Sequence, residues 1–173
     1  MIVCKFDPVK NALPYTNGSF KFKVGPITCS VLCGGISYTA LDYFETGILP
    51  PKSPKTPADG NPMEEYLYRR QATAHFYTWH RFAAAWLGGA GEQDSVEKLG
   101  TFLSSRPVIL CLFGGFGHGH HVVATACDPG RKVIHLYDSN HPGRTSVLRQ
   151  LSGNVLDPVW LHETSGAGAL DFS

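Results

Sequence analysis

The sequence predicts an α+β fold in which a helical N-terminal half packs on a C-terminal antiparallel sheet. Two observations lead to this prediction. Apolar residues recur at helical spacing between residues 34 and 104, and short β-rich runs take over from residue 108. The length of 173 residues and the apolar content of 43% fit a single domain, residues 1–173, with a full hydrophobic core.

Residues 1–32 predict an extended N-terminal arm. Two β-like stretches, 20–24 and 27–32, lie next to turn signals at Asn17-Gly18 and Gly25-Pro26.

Residues 34–46 predict the first helix. One face is apolar at every fourth residue, and Gly47 supplies a helix end; the apolar positions are Ile36, Ala40 and Phe44. The next segment, 48–62, holds five of the twelve prolines, which excludes regular structure. We therefore expect a Pro-rich surface loop there.

Two capping boxes predict the next two helices. Asn61-Pro62-Met63-Glu64 opens a stretch without Gly or Pro that reaches Leu87, and Asp94-Ser95-Val96-Glu97 opens a shorter helix that ends near Ser104. The long helix carries an aromatic stripe that begins at Phe76 and is typical of a core-facing surface.

Five β-rich runs come after the helices and predict the antiparallel sheet. They are VILCLF (108–113), HVVATAC (121–127), VIHLYD (133–138), TSVLRQ (145–150) and VWLHE (159–163). Turn-forming segments such as DPGRK and SNHPG separate them. The small and polar residues of 164–173 predict a loosely held tail.

Composition narrows the class of function. The 15 Lys and Arg nearly balance the 14 Asp and Glu, which predicts no nucleic-acid-binding face. No apolar run approaches the roughly 18 residues of a membrane span, and no cleavable signal is recognisable. Five cysteines without paired CxxC spacing indicate reduced thiols, so we expect a cytoplasmic chain as synthesised, with delivery by a specialised secretion system as the alternative.

Cys33 lies at the N-terminal end of the first predicted helix, directly before Gly34 and Gly35. A helix N-terminus carries unsatisfied N–H groups and about half a positive charge, which favours a thiolate. Glycines without side chains let a substrate carbonyl approach those N–H groups, where an oxyanion could be held. The pattern predicts a cysteine nucleophile with Gly34 in its oxyanion site, against the simpler alternative of a buried thiol beside turn glycines.

A cysteine nucleophile needs an imidazole partner, and GGFGHGHHVVATA supplies three. His121 adjoins an apolar run and should have a fixed backbone, so we predict that it is the base. Gly117, His118 and His120 are expected in a mobile glycine-rich loop at the border of the substrate cleft.

Asp138 is the predicted orienting residue of the histidine. A hairpin through Asp128-Pro129-Gly130 would pair positions so that Asp138 lies opposite His121. Asn140, two residues later, is the amide alternative.

These motifs resemble a known family. Cys-Gly-Gly at a helix start, then His-Val-Val, then Tyr-Asp-Ser-Asn is similar to the papain-like cysteine peptidase superfamily, nearest the double-glycine leader peptidases of bacteriocin exporters and related bacterial papain-like toxin domains. The likeness covers roughly residues 30–145. It implies a papain-like fold without a cofactor, in which Cys33 is the nucleophile, His121 the base and Asp138 the orienting residue.

One position departs from that family. Its peptidases carry a glutamine upstream of the nucleophile as an oxyanion donor, and Ile27 occupies the corresponding position here. Thr28, Ser30 or Asn17 are the candidates to replace it, beside the N–H groups of the helix start.

The sequence therefore predicts a cysteine peptidase or amidase that works through a thioester acyl-enzyme, without a metal. The resemblance adds the expectations of a protein or peptide substrate, a role as a bacterial effector toxin and an immunity protein as inhibitor. The same frame could serve a deamidase, an acyltransferase or a binding protein. A metal site is the remaining alternative, built from His118, His120, His121, Asp138 and His141.

Overall fold

The computed structural model describes the backbone of residues 1–24, 27–29, 31–86, 96–114, 118–152 and 159–164, and the side chains of 1–21, 31–77, 96–112 and 119–149. Within these ranges the chain combines α-helices with antiparallel strands. The helices come first and the long strands come after them, which confirms the α+β class.

The described residues contain three α-helices and eight strands. The helices are α1 (Cys33–Thr46), α2 (Pro62–Trp86) and α3 (Val96–Leu103). The strands are β1 (Ile2–Val3), β2 (Phe22–Val24), β3 (Ile27–Cys29), β4 (Val108–Gly114), β5 (His118–Asp128), β6 (Val133–Tyr137), β7 (Ser146–Ser152) and β8 (Val159–Thr164). Each long strand begins and ends within three residues of its predicted run, so the pattern of β-rich segments located the sheet correctly.

Strand β5 is the centre of the main sheet. The sheet has the order β1-β5-β6-β7-β8, and β4 also pairs with β5. Strand β4 covers the first half of one edge of β5, from His118 to Ala124, and β1 continues along that edge. Backbone pairing with β4 therefore fixes the part of β5 that carries His120 and His121.

The helix boundaries agree with their capping residues. Gly47 ends α1 with a φ of 71°, and its N–H donates to the carbonyl of Phe44. Asn61 caps α2, because its Oδ1 accepts from the N–H of Met63 at 2.9 Å. Both predicted boundaries are confirmed, and α1 begins directly at Cys33.

The start of α1 packs against α2 through two glycines. A Cβ at Gly34 would lie 2.5 Å from the Cβ of Ala74, and a Cβ at Gly35 would meet the carbonyl of Leu67 well inside contact distance. Only glycine permits this approach. The glycines therefore fix how α1, and with it Cys33, sits on α2.

The N-terminal arm, predicted as extended, contains a turn at residues 8–11 and a 3₁₀ helix at Asn17–Ser19, and it is part of the core. Phe20 is buried, and the hydroxyl of Tyr137 donates to the carbonyl of Leu13 at 3.0 Å. The N–H of Cys4 donates to the carbonyl of Thr125 at 2.9 Å. The arm thus lies against β5 and the end of β6.

Two predictions about exposure and order are wrong. His118 and His120 belong to β5 instead of a loop, because the ladder with β4 continues through Gly119 to the pair Gly114 and His118. Phe76 is 78% exposed and packs edge-on against Tyr77, so the stripe on α2 does not enter the core at this residue.

No helix in the described ranges is both long and apolar enough to cross a membrane.

Candidate active site

Cys33 is buried at the first turn of α1, where some of the backbone N–H groups already have hydrogen-bond acceptors. Its exposed fraction is 3%. The N–H of Gly35 donates to Oε1 of Gln71 at 2.8 Å, and the N–H of Ile36 donates to the carbonyl of Leu32. The N–H groups of Cys33 and Gly34 have no partner in the part of the chain that the structure describes. Those two remain for an anion.

One histidine of β5, His121, contacts this thiol. Nδ1 of His121 lies 3.8 Å from Sγ of Cys33. The hydroxyl of Ser37 donates to the carbonyl of His121 at 3.1 Å and so ties α1 to the strand. His121 is 3% exposed, and its Nε2 has no hydrogen-bond partner among the described residues.

His120 contacts the buried carboxylate. Its Nε2 lies 2.7 Å from Oδ1 of Asp138, which is completely buried. The N–H of Asn140 donates to the same oxygen at 2.8 Å, and Nδ2 of Asn140 lies 3.2 Å from Nε2 of His120. An acceptor at this distance fixes Nε2 as a protonated nitrogen of the ring, so Nδ1 is the nitrogen that can gain or lose a proton.

The pKa values of Cys33 and His120 shift in opposite directions, so that the thiol becomes the stronger acid of the two. Burial raises the pKa of Cys33, but hydrogen bonding first to His120 and then to His121 outweighs burial and lowers it from 9.0 to about 6. Burial lowers the pKa of His120, but hydrogen bonding to Asp138 and then to Cys33 raises it from 6.5 to about 9. Between these values the favoured state is a thiolate next to an imidazolium.

The predicted contact between His121 and Asp138 is wrong. Val123 pairs with Tyr137, one residue away from the expected register, and the β5-β6 pairing is irregular further along. Continued by one residue, this register places Asp138 opposite Val122. Because side chains alternate between the two faces of a strand, Asp138 then shares a face with His120 and not with His121. The loop of the hairpin is longer than the simple turn that the sequence suggested.

A second cysteine lies near the site and behaves differently. Cys111 in β4 pairs with His121 in β5, so both side chains project from the same face of the sheet. Burial, and then the negative charge of Cys33, raise the pKa of Cys111 to about 11. Cys111 is therefore a protonated thiol in the neutral range.

Gln71 of α2 adds a buried polar group beside the site, and the exposed His75 contacts it; sequence reasoning missed both. The side-chain amide of Gln71 donates through its Nε2 to Nε2 of His75 at 2.8 Å. Burial and then the charge of His121 lower the pKa of His75, which keeps its ring neutral and able to accept. The available signal was a polar residue at helical spacing on the buried face of α2, between Leu67 and Ala74.

The remaining predicted site residues have different outcomes. Asn140 joins the site, whereas the space beside the Cα of Gly34 is filled by α2, so only its N–H can serve an oxyanion. Thr28 lies on β3, with its side chain outside the described residues. Gly117 and the side chain of His118 also lie outside them.

The metal alternative gains no support. Among the described side chains, no group of three or more His, Cys, Asp or Glu is arranged to hold a metal ion. His141 is exposed, and Asp138 is turned to His120.

Comparisons with known proteins identify no relative of this chain. No family model matches the chain, and no curated protein or solved structure matches it significantly. The resemblance to papain-like peptidases therefore depends on the motifs and on the geometry around Cys33.

Proposed function

We propose that the protein is a papain-like cysteine hydrolase that cleaves a peptide or amide bond through Cys33, His120 and Asp138. The observation that carries the proposal is the contact of His120 with Asp138 beside a thiol whose pKa is lowered to about 6. A nucleophile, a base and an orienting carboxylate in this order are the components of a catalytic triad.

Acylation begins with the thiolate of Cys33, which attacks the carbonyl carbon of the substrate. The carbonyl oxygen becomes an oxyanion next to the N–H groups of Cys33 and Gly34. His120 then transfers its proton to the nitrogen of the leaving amine, and the C–N bond breaks. The products of this half-reaction are a free amine, a thioester on Cys33 and a neutral His120.

Deacylation reverses the role of His120. The neutral ring takes a proton from water, and the resulting hydroxide attacks the thioester carbonyl. The C–S bond breaks, the acid product leaves, and the thiolate and imidazolium are restored. Another acceptor in place of water would give acyl transfer by the same residues.

Asp138 supports the choice of His120 over its neighbour. A base needs one nitrogen for the thiol and an oriented second nitrogen, and His120 has Asp138 at 2.7 Å from its Nε2. Nε2 of His121 has no such acceptor among the described residues. His121 acts as a second hydrogen-bond partner of the thiol instead, and the sequence-based choice of His121 is replaced by His120.

A panel of fluorogenic peptide amides with small residues before the cleaved bond tests the proposal, because the resemblance implies that preference. The native protein is compared with Cys33→Ala and with Cys111→Ala as the matched cysteine control. We expect release of the amine by the native protein and by Cys111→Ala, and none by Cys33→Ala. Hydrolysis that survives in Cys33→Ala would overturn the assignment, and so would a native protein that cleaves no member of the panel.

A protein or peptide substrate and an inhibitory immunity protein remain part of the proposal. The buried thiol needs an extended acyl group that can reach the start of α1, and a peptide chain meets that requirement. An inhibitor that covers this end of α1 would block both half-reactions.

A further inference from the structure

Asn17 connects the two segments that carry the proposed nucleophile and the proposed carboxylate. It lies in the N-terminal arm, fifteen positions before Leu32, and is 5% exposed. Its Oδ1 accepts from the N–H of Leu32 at 2.6 Å, and its Nδ2 donates to Oδ1 of Asn140 at 3.1 Å. Leu32 directly precedes Cys33, and Asn140 contacts His120.

The orientation of the Asn17 amide is fixed. The N–H of Leu32 can only donate, so the atom that faces it must be the carbonyl oxygen of the side chain. The NH₂ group is therefore directed at Asn140 and requires an acceptor there, which Oδ1 of Asn140 supplies. The backbone adds a third bond, because the N–H of Asn17 donates to the carbonyl of Ser139 at 2.9 Å.

We propose that Asn17 is a positioning residue that holds the loop after β6, and with it Asp138 and His120, at a fixed distance from Cys33. This inference rests on the proposed function. The attraction between the thiolate and the imidazolium falls with their separation, so a looser loop would let the pKa of Cys33 rise. The N-terminal arm would then contribute to the reactivity of the site as well as to the core.

The test measures the pH dependence of iodoacetamide alkylation at Cys33, mapped by mass spectrometry. Asn17→Ala removes both side-chain bonds. The matched control is Asn11→Ala, which removes a side-chain bond that stays within the arm, from the N–H of Asp7 at 2.8 Å. We expect the midpoint for Cys33, about 6 in the native protein, to rise by about one pH unit in Asn17→Ala and to stay unchanged in Asn11→Ala.

A double-mutant cycle with Asn140→Ala shows whether Asn17 acts through the loop. If it does, the alkylation rate of the double variant at pH about 6 falls within about twofold of the slower single variant. Effects that multiply would mean that Asn17 acts on Leu32 alone, which overturns the proposed connection. A thermal melt checks that each variant is folded. If Asn17→Ala does not fold, Asn140→Ala alone decides: substitution of the exposed Asn140 should raise the midpoint, and an unchanged midpoint overturns the proposal.

Failure of this inference is distinguishable from failure of the proposed function. If Cys33 of the native protein titrates as an ordinary thiol, the proposed function fails. If its midpoint is about 6 and depends on His120, while Asn17→Ala behaves like Asn11→Ala, only the role of Asn17 is overturned.

Discussion

Cys33 and Cys111 both lie next to His121, yet their thiols differ in the direction of their pKa shifts. The pKa of Cys33 is lowered to about 6 and that of Cys111 is raised to about 11. Burial raises both values. Cys33 differs because hydrogen bonding to His120 and His121 lowers its pKa, whereas the charge that acts on Cys111 is the thiolate of Cys33 itself.

Depth alone therefore does not decide the chemistry of a cysteine in this protein. Of the two residues, the more buried Cys33 is the stronger acid, because imidazole groups compensate the charge that burial penalises. The groups responsible are His120 and the Asp138 carboxylate that it contacts. Changes to these groups should therefore alter the difference between the pKa values of Cys33 and Cys111.

The largest expected effect is the exchange of each cysteine for serine. Cys33→Ser should lower amide hydrolysis by about 10³-fold or more, because the serine hydroxyl is not ionised at neutral pH. Cys111→Ser should change the rate less than about twofold, because the proposed reaction does not use this thiol. Initial rates with a cleaved peptide amide measure both. Equal losses in the two variants would contradict the distinction.

Removal of each histidine should separate the base from its neighbour. His120→Ala should lower hydrolysis by about 10²–10⁴-fold, the range for loss of general acid-base catalysis. His121→Ala should retain more activity, because Asp138 and His120 remain in contact. The pKa of Cys33 should rise in both variants and more in His120→Ala, measured by alkylation. A larger loss in His121→Ala would return the role of base to His121.

The pH dependence of the hydrolysis rate should be bell-shaped, with limbs at about 6 and about 9. Below the first value Cys33 gains a proton and loses its nucleophilicity; above the second His120 loses the proton that the leaving amine needs. Each limb should approach about tenfold per pH unit. Initial rates between pH about 4 and about 10 measure the profile. A rate that rises steadily to the alkaline end, as for an ordinary thiol, would be inconsistent with the pair.

The signs of the two shifts also fix the pH dependence of stability. The lowered pKa of Cys33 contributes stability above its unfolded value of 9.0, which is lost as the pH falls through about 6. The raised pKa of His120 contributes stability below its unfolded value of 6.5, and this stability is lost as the pH rises through about 9. Urea unfolding of the native protein and of His120→Ala across this range measures it, and identical pH profiles of the two would contradict the pair.

The smallest expected effect concerns Cys111 after removal of its charged neighbour. In Cys33→Ser the pKa of Cys111 should fall below about 11, because the Cys33 thiolate contributes to its rise, but it should stay above 9.0, because burial remains. The pH dependence of Cys111 alkylation measures this shift. An unchanged value would show that the two thiols do not interact.

The sequence allowed most of the architecture to be predicted, because helices and strands here obey their local signals. Gly47 ends α1 and Asn61 begins α2, as expected from their capping chemistry. The register of β5 on β6 was not predictable, because it depends on a longer hairpin loop and an irregular pairing that leave no local signal. That slip of one residue decided between His120 and His121.

Contacts distant in sequence explain why sequence reasoning missed Gln71 and gave Asn17 a different role. Asn17 was only one of three candidates for an oxyanion donor, and its bonds to Leu32 and Asn140 join segments that no local pattern relates. Gln71 reaches Gly35 across the α1-α2 contact, which exists because two glycines allow close packing. The sequence gives these residue types, but it does not show which residues they contact in the fold.

The most direct test of the central claim is the pH dependence of iodoacetamide alkylation in the native protein, with Cys33 and Cys111 followed separately by mass spectrometry. The midpoint is the quantity to compare, because a thiolate of low pKa is intrinsically a weaker nucleophile and absolute rates would understate the difference. We predict a midpoint of about 6 for Cys33 and one of about 11 for Cys111. Equal midpoints, both in the range of an ordinary thiol, would contradict the activated cysteine and with it the proposed hydrolase.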